Sequence, residues 1–291
     1  MTSLFQGSMV ALITPFHQGK VDEKSLRDLI EWQIASGTFC LVPCGTTGEA
    51  PTLSYEEHER IVAITVEQAA GRVPVLAGAG SNATENAIKL TLQAKRAGAA
   101  GTLQVVPYYN KPTQEGIFRH FEKIARAVDL PMVLYNVPGR TAVNMEAATT
   151  LRLAKIETVV GIKEASGNLE QIGRIIQESS SNFSVYSGDD ALNMSVYMLG
   201  GRGTISVAAN VVPSKVAKVW NVFAAGNKKE AFALHEEIEP LNKILFLETN
   251  PIPVKTALSL MKKCEEEFRL PLCSMSEGHK QELKEALKNF V

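Results

Sequence analysis

Val159-Val160-Gly161-Ile162-Lys163 is a short apolar run that ends in a charge. It reads as a buried strand, a setting with no room for an ammonium group. A lysine in that position either emerges from the strand into solvent or takes part in chemistry. Burial disfavours the ammonium form of a lysine, and a neutral amine attacks carbonyl carbons to form a Schiff base. The pattern around the run has to decide between the two.

Working outward, apolar runs of the same kind recur at residues 9–13, 39–42, 73–77, 101–105 and 131–135 before it, and at 183–186 and 203–206 after it. Longer amphipathic segments separate them, which is a β/α rhythm. Two of these segments carry clear start or stop signals: Ser54 with Glu57 forms a capping-box pattern, and Asn82 opens a segment that runs to Ala97 and stops at Gly98. Continuous apolar strands joined by crossover helices imply a parallel sheet covered on both faces. Eight such units without a distinct second domain predict a (β/α)8 barrel over residues 1–224. The remainder, residues 225–291, contains no convincing strand. Helical patterns at 214–224, 228–238, 254–264 and 277–290, with Pro251 and Pro253 punctuating the start of the third, predict a completed eighth unit and then a C-terminal helical extension. No Gly-, Ser- or Pro-rich linker sets the extension apart, so it is expected to pack on the barrel.

Composition narrows the function. Thirty basic residues against 31 acidic ones, a net charge of -1, give no single-sign field for nucleic acid. The start, Met1-Thr2-Ser3-Leu4-Phe5-Gln6-Gly7, has neither a basic nor an apolar targeting segment, and no apolar run reaches membrane-spanning length. A cytoplasmic protein is expected. Four cysteines, Cys40, Cys44, Cys264 and Cys273, are too few for a disulfide scaffold and read as reduced thiols, with Cys40 and Cys44 in or beside a strand. Five scattered histidines form no HxH or HExxH pair, so no metal is expected.

In a barrel of this kind the working residues stand at the C-terminal strand ends and in the loops that follow. Polar signals collect there: Gly45-Thr46-Thr47-Gly48-Glu49, Pro107-Tyr108-Tyr109-Asn110-Lys111-Pro112, Asn136-Val137-Pro138-Gly139-Arg140-Thr141, Lys163-Glu164-Ala165-Ser166-Gly167-Asn168 and Ser187-Gly188-Asp189-Asp190. The Gly-Thr-Thr-Gly loop brings amides and hydroxyls close to a bound group and suits a carboxylate, although such loops are also ordinary turns. Tyr135 closes its strand facing the same mouth as Lys163, as a proton relay or as an aromatic with a solvated hydroxyl. Arg140 offers a planar fork to a second carboxylate, or is merely solvated.

Taken together, Gly45-Thr46-Thr47-Gly48-Glu49, Tyr135-Asn136-Val137-Pro138-Gly139-Arg140-Thr141, Gly161-Ile162-Lys163-Glu164-Ala165-Ser166-Gly167 and Asn250-Pro251-Ile252-Pro253-Val254-Lys255 resemble the dihydrodipicolinate (4-hydroxy-tetrahydrodipicolinate) synthase family. That family lies in the superfamily of pyruvate-dependent class I aldolases and N-acetylneuraminate lyase. The resemblance runs from Gly7 to the C-terminal helices. It implies that Lys163 forms a Schiff base with pyruvate and that Tyr135 is the general acid/base. Thr47 would join Tyr135 and Tyr109 in a proton relay, with Tyr109 donated by a neighbouring subunit. The Thr46-Thr47 backbone would hold the pyruvate carboxylate, and Arg140 the carboxylate of L-aspartate 4-semialdehyde. Gly188 and Ile205 match positions whose backbone lines the site. A homo-oligomer, a tetramer built from two tight dimers, and no cofactor are implied with it.

Feedback-sensitive members of that family bind lysine near positions matching Ala50, Tyr55, His58, Asn82, Asn86 and Tyr108. Here Ala50 and Tyr55 stand where a serine and a histidine are usual, and Asn86 stands where a glutamate would pair the ligand's ammonium. Weak or absent inhibition by lysine is therefore expected. Two other readings remain: a lyase for N-acetylneuraminate or a 2-keto-3-deoxy sugar acid, which would keep Lys163 and Tyr135 without needing Arg140, and a non-catalytic pyruvate or lysine sensor.

Overall fold

The computed structural model describes residues 4–290; residues 1–3, part of the N-terminal stretch read above, and residue 291 lie outside the described residues. Eight parallel strands form one sheet: β1 Gly7–Ala11, β2 Cys40–Val42, β3 Leu76–Gly78, β4 Gly101–Val105, β5 Met132–Asn136, β6 Val159–Glu164, β7 Ser184–Ser187 and β8 Gly203–Ser206. Spatial order follows chain order, with β1 beside β8, and a Leu41–Val75 bridge joins β2 to β3. That last contact closes the sheet on itself, so the expected barrel is what forms. A two-residue ribbon, Phe16–His17 with Lys20–Val21, follows β1.

Helices α1 Glu23–Ala35, α2 Tyr55–Ala69, α3 Thr84–Arg96, α4 Gln114–Ala127, α5 Pro138–Thr141, α6 Ala147–Leu153, α7 Leu169–Glu178, α8 Asn193–Leu199 and α9 Pro213–Ala224 surround it. After them come α10 Lys228–Ile244, α11 Ile252–Leu260 and α12 Glu277–Leu287. Among the described residues no helix is long and apolar enough to cross a membrane.

Period-2 alternation sorts the strand side chains. Met9, Ala11, Cys40, Val42, Val133, Tyr135, Tyr186 and Ile205 fill the barrel interior, while Val10, Leu41, Leu134, Ile162 and Val185 pack outward under the helices. Each fully buried aliphatic or aromatic side chain contributes about 1.5–3 kcal/mol. Val254, Ala257, Leu258 and Leu283 of α11 and α12 belong to the same apolar cluster as Leu26, Ile30, Ile61 and Val62 of α1 and α2. Cys40 and Cys44 are buried free thiols, and burial pushes both thiols up.

The Ser54–Glu57 capping box forms as expected, with Glu57 N donating to Ser54 Oγ at 3.2 Å and Ser54 N donating to the Glu57 carboxylate at 3.0 Å. Asn82, by contrast, does not cap α3. Ala83 holds the cap position, and the Asn82 side chain donates instead to the Tyr108 carbonyl at 3.3 Å. The helix expected to stop at residue 238 continues through Pro240 to Ile244. Pro240 removes one backbone donor, but Ile238, Leu241, Ile244 and Leu245 are buried around it, and that packing carries the helix past the proline.

Candidate active site

Gly161 and Lys163 share the inward parity of β6, because Ile162 between them packs outward. Lys163 therefore enters the barrel instead of leaving it, and it is only 5% exposed. Its neighbours in register are Tyr135 on β5 and Tyr186 on β7. The Lys163 amine sits 4.4 Å from the centroid of the Tyr135 ring and makes no ion pair among the described residues. Space for the chain of methylenes comes from a glycine. A Cβ on Gly188 would meet Lys163 Cε at 3.0 Å and the Ala165 Cβ at 2.7 Å, so a side chain there would crowd the lysine stem.

One residue beyond Lys163, the strand faces outward again and Glu164 is buried beside Asn136, its partner in register. Asn136 Nδ2 donates to Glu164 Oε1 at 3.1 Å, Gln171 Nε2 to Oε2 at 3.0 Å, and the Ser166 N–H to Oε1 at 2.9 Å. Burial pushes the Glu164 carboxyl above the usual range, and these donors pull the other way. The Asn136–Glu164 clamp fixes β5 against β6 directly behind the Tyr135–Lys163 pair. Rigid support of this kind is what holds reacting groups in position.

The Gly45-Thr46-Thr47-Gly48 turn is closed by its own backbone: Gly48 N donates to Gly45 O and Glu49 N to Thr46 O, both at 3.1 Å. The amides of Thr46 and Thr47 have no protein acceptor among the described residues, which leaves them for a ligand. Glu49 then holds a left-handed backbone, φ 54°, a conformation that costs a non-glycine residue about 1–3 kcal/mol. What holds it is a buried ion pair with Lys255 on α11, supported by the Arg269 N–H donating to the Glu49 carboxylate at 3.3 Å. The same segment reaches the site directly. Asn250 Nδ2 donates to Thr47 Oγ1 at 3.0 Å, and the Arg140 guanidinium donates to the Asn250 carbonyl at 3.0 Å. Since an amide N–H only donates, Thr47 Oγ1 accepts from Asn250 and its own proton is directed elsewhere.

These residues line one cavity of about 430 Å³, walled by Thr46, Thr47, Tyr135, Arg140, Lys163 and Gly188 and by Asp189, Asn242, Lys243, Phe246 and Asn250. Ile205 lies deeper, in the barrel interior, with Val207 two residues on at the wall. Tyr109 is not among the residues lining this cavity: it is 89% exposed, on a left-handed backbone with φ 72° in the loop after β4. Ala50, Tyr55, His58, Asn82, Asn86 and Tyr108 all line a second cavity of about 500 Å³, which shares Thr46, Tyr135 and Arg140 with the first. Sequence reading missed Asn242, Lys243 and Phe246, because they lie beyond residue 238, where the helix was expected to end. It also gave Asn250 no role.

The arrangement is a buried amine without an ionic partner, next to a tyrosine, an anion cradle and an arginine, and it suits imine chemistry on a keto acid. The Dihydrodipicolinate synthetase family model matches residues 4–290. A protein named 4-hydroxy-tetrahydrodipicolinate synthase from Thermodesulfovibrio yellowstonii is 52% identical over 98% of each chain. The crystal structure of dihydrodipicolinate synthase from Aquifex aeolicus superimposes with a TM-score of 0.97, at 48% identity and 98% coverage of both chains. A structure described as the first monomeric dihydrodipicolinate synthase variant superimposes with a TM-score of 0.97 at 43% identity, covering 98% of this chain and 97% of that one.

Proposed function

The chain belongs to the dihydrodipicolinate synthetase family, and from that premise we propose that Lys163 carries the family's reaction. It is a lyase that condenses pyruvate with L-aspartate 4-semialdehyde to 4-hydroxy-tetrahydrodipicolinate, in diaminopimelate and lysine biosynthesis. The observation that carries the assignment of Lys163 is its amine, buried over Tyr135 without a carboxylate partner in the cavity that Thr47 and Arg140 line.

In this reading the Lys163 amine attacks C2 of pyruvate, and loss of water gives the imine. The protonated imine withdraws electrons from the adjacent methyl group, which loses a proton to become an enamine carbon nucleophile. That carbon adds to the aldehyde of the semialdehyde, and the semialdehyde's amino group attacks the imine carbon, closing the ring and releasing Lys163. Tyr135 moves the protons, and Thr47 passes them on. The free amides of Thr46 and Thr47 hold the pyruvate carboxylate, and Arg140 holds that of the semialdehyde. Gly188 keeps the space for the lysine stem, and the backbone at Ile205 backs the site. Tyr109, exposed in its own chain, completes the relay from a neighbouring subunit, which makes the working form a homo-oligomer, a tetramer of two dimers. A cytoplasmic location goes with this reading.

A coupled assay with both substrates tests the reaction, and borohydride reduction in the presence of pyruvate followed by peptide mapping tests the residue. The expected product is a reduced pyruvyl adduct on the peptide carrying Lys163. An adduct elsewhere, or none, overturns the assignment.

A further inference from the structure

The turn that carries Thr46 and Thr47 ends in a way that gives its last residue a task. Ala50 N donates to Gly45 O at 3.3 Å and Glu49 N to Thr46 O at 3.1 Å, a 6→1 and a 5→2 bond around a left-handed residue. This is the Schellman pattern that closes a helical turn, and its left-handed position is usually filled by glycine, which has no Cβ to clash. Here it is Glu49, φ 54° and 1% exposed.

Nothing in that backbone pattern asks for a carboxylate, and a buried carboxylate is destabilising unless it is paired. Both Glu49 oxygens are engaged from the C-terminal extension: Oε1 accepts from the Lys255 amine on α11, and Oε2 from the Arg269 N–H at 3.3 Å. Lys255 also donates to the Glu267 carbonyl at 2.9 Å. The Arg269 side chain donates to the Thr52 carbonyl at 3.0 Å and to the Gly19 carbonyl at 2.8 Å, and it pairs with Glu57 at 2.6 Å. The exit of the turn is thereby tied to α11, to the segment after it and to the start of α2. Its entry is held by packing instead. Cys44 is left-handed too, φ 55°, and its carbonyl lies so close to β3 that a Cβ on Gly78 would sit 2.1 Å from it. Between the two anchors stand the Thr46 and Thr47 amides, which have no protein acceptor among the described residues.

We propose that Glu49 and Lys255 are positioning residues for the keto acid, pinning the exit of the turn so that the free Thr46 and Thr47 amides stay aimed at its carboxylate; this rests on the reading of the reaction given above. Neither residue touches substrate. A carboxylate held from first binding to ring closure is bound alike in ground and transition state, so loss of this aim raises the KM for pyruvate and not the barrier to turnover. The semialdehyde has its own host in Arg140, and its KM stays as it was.

The test separates the tether from the backbone shape. Glu49→Gly with Lys255→Met leaves the left-handed position free of strain and no buried charge unpaired, and so recovers much of the melting temperature that Lys255→Met alone loses. The turn is then closed but untied. Steady-state kinetics well below the melting temperature should show the KM for pyruvate raised about tenfold, with kcat and the KM for the semialdehyde within about threefold of wild type. Glu49→Asp keeps the charge and shortens the tether by one methylene, and the same KM should rise by about threefold or more, which decides the matter if the double variant does not fold. A wild-type KM for pyruvate in whichever variant folds overturns the proposal, because the pair would then serve stability alone. An equal rise of both KM values, or a loss confined to kcat, overturns it too. Failure of borohydride trapping in the wild type would instead sink the reaction itself.

Discussion

Lys163 and Lys255 are both buried lysines, yet their surroundings separate them completely. Lys255 is fully enclosed with the Glu49 carboxylate, donates to the Glu267 carbonyl at 2.9 Å, and lies 4.2 Å from the Phe16 ring centroid. Burial lowers its pKa, and Glu49 opposes the shift, so its charge is held by a counter-charge, and it lines neither of the two cavities described above. Lys163 has an aromatic face, a glycine and an open cavity in place of a carboxylate. Burial alone therefore does not mark a nucleophile; burial without a counter-charge, next to space for a carbonyl, does. The ion pair serves the site at one remove by holding Glu49 in the left-handed conformation that ends the threonine turn.

Exchanging the two losses breaks this comparison most directly. Lys163→Ala should reduce kcat by about 10⁴-fold or more, the scale expected when a covalent nucleophile is removed, with the melting temperature little changed. Lys255→Met should do the reverse, lowering the melting temperature strongly. It leaves Glu49 buried without its partner, a loss of about 3–5 kcal/mol, and the double variant with Glu49→Gln should recover part of it. If Lys255→Met abolished pyruvate trapping while leaving stability intact, the division of labour between the lysines would be wrong.

Smaller effects sharpen the division. Tyr135→Phe keeps the ring beneath the Lys163 amine and deletes only the hydroxyl, so kcat should fall by about 10²-fold or more, the lower range for a general acid/base. Unchanged turnover would reduce Tyr135 to a packing role. Arg140→Ala removes a charge-assisted partner for the aldehyde's carboxylate. Its kcat/KM for aspartate semialdehyde should drop by about ten- to a hundredfold, with the KM for pyruvate nearly constant. Asn250→Ala loses the donor that orients Thr47, and a drop in kcat of roughly tenfold, about 1.4 kcal/mol, should follow, in line with one lost hydrogen bond.

How far the sequence carried this picture depends on where each feature is written. Strands buried on both faces read as unbroken apolar runs, so all eight were legible, with ends displaced by one to a few residues, as at β1 and β3. The convergence of Lys163, Thr47, Tyr135 and Arg140 on one cavity was legible because strand ends of a barrel meet at one mouth. The inward direction of Lys163 was not, since it depends on the parity of β6 within the closed sheet. Asn242 lies past Pro240, and only tertiary packing shows that the helix continues to it. Glu49 and Lys255 are 206 residues apart, and no local pattern joins them. Tyr109 is 89% exposed in its own chain, so a role for it rests on the proposed assembly and not on the fold of one chain.

The second cavity provides the mildest test, because the expected result is nearly none. None of the residues lining it is acidic, so an amino acid with an ammonium at each end would find no counter-charge there. His58 supplies none either: its Nε2 is bound to the Gly78 carbonyl at 2.7 Å, and burial lowers its pKa, favouring the neutral ring. The face of Tyr55 is already covered by the Lys89 amine, 3.9 Å from the ring centroid, which would repel a second cation. Adding lysine up to about millimolar concentration should leave the rate close to unchanged, while Asn86→Glu should increase sensitivity by about tenfold through one charge-assisted contact. Half-maximal inhibition of the wild type below millimolar lysine would show that neutral acceptors suffice in this cavity. The contrast between a paired and an unpaired buried charge would then hold for Lys163 but not for ligand binding beside it.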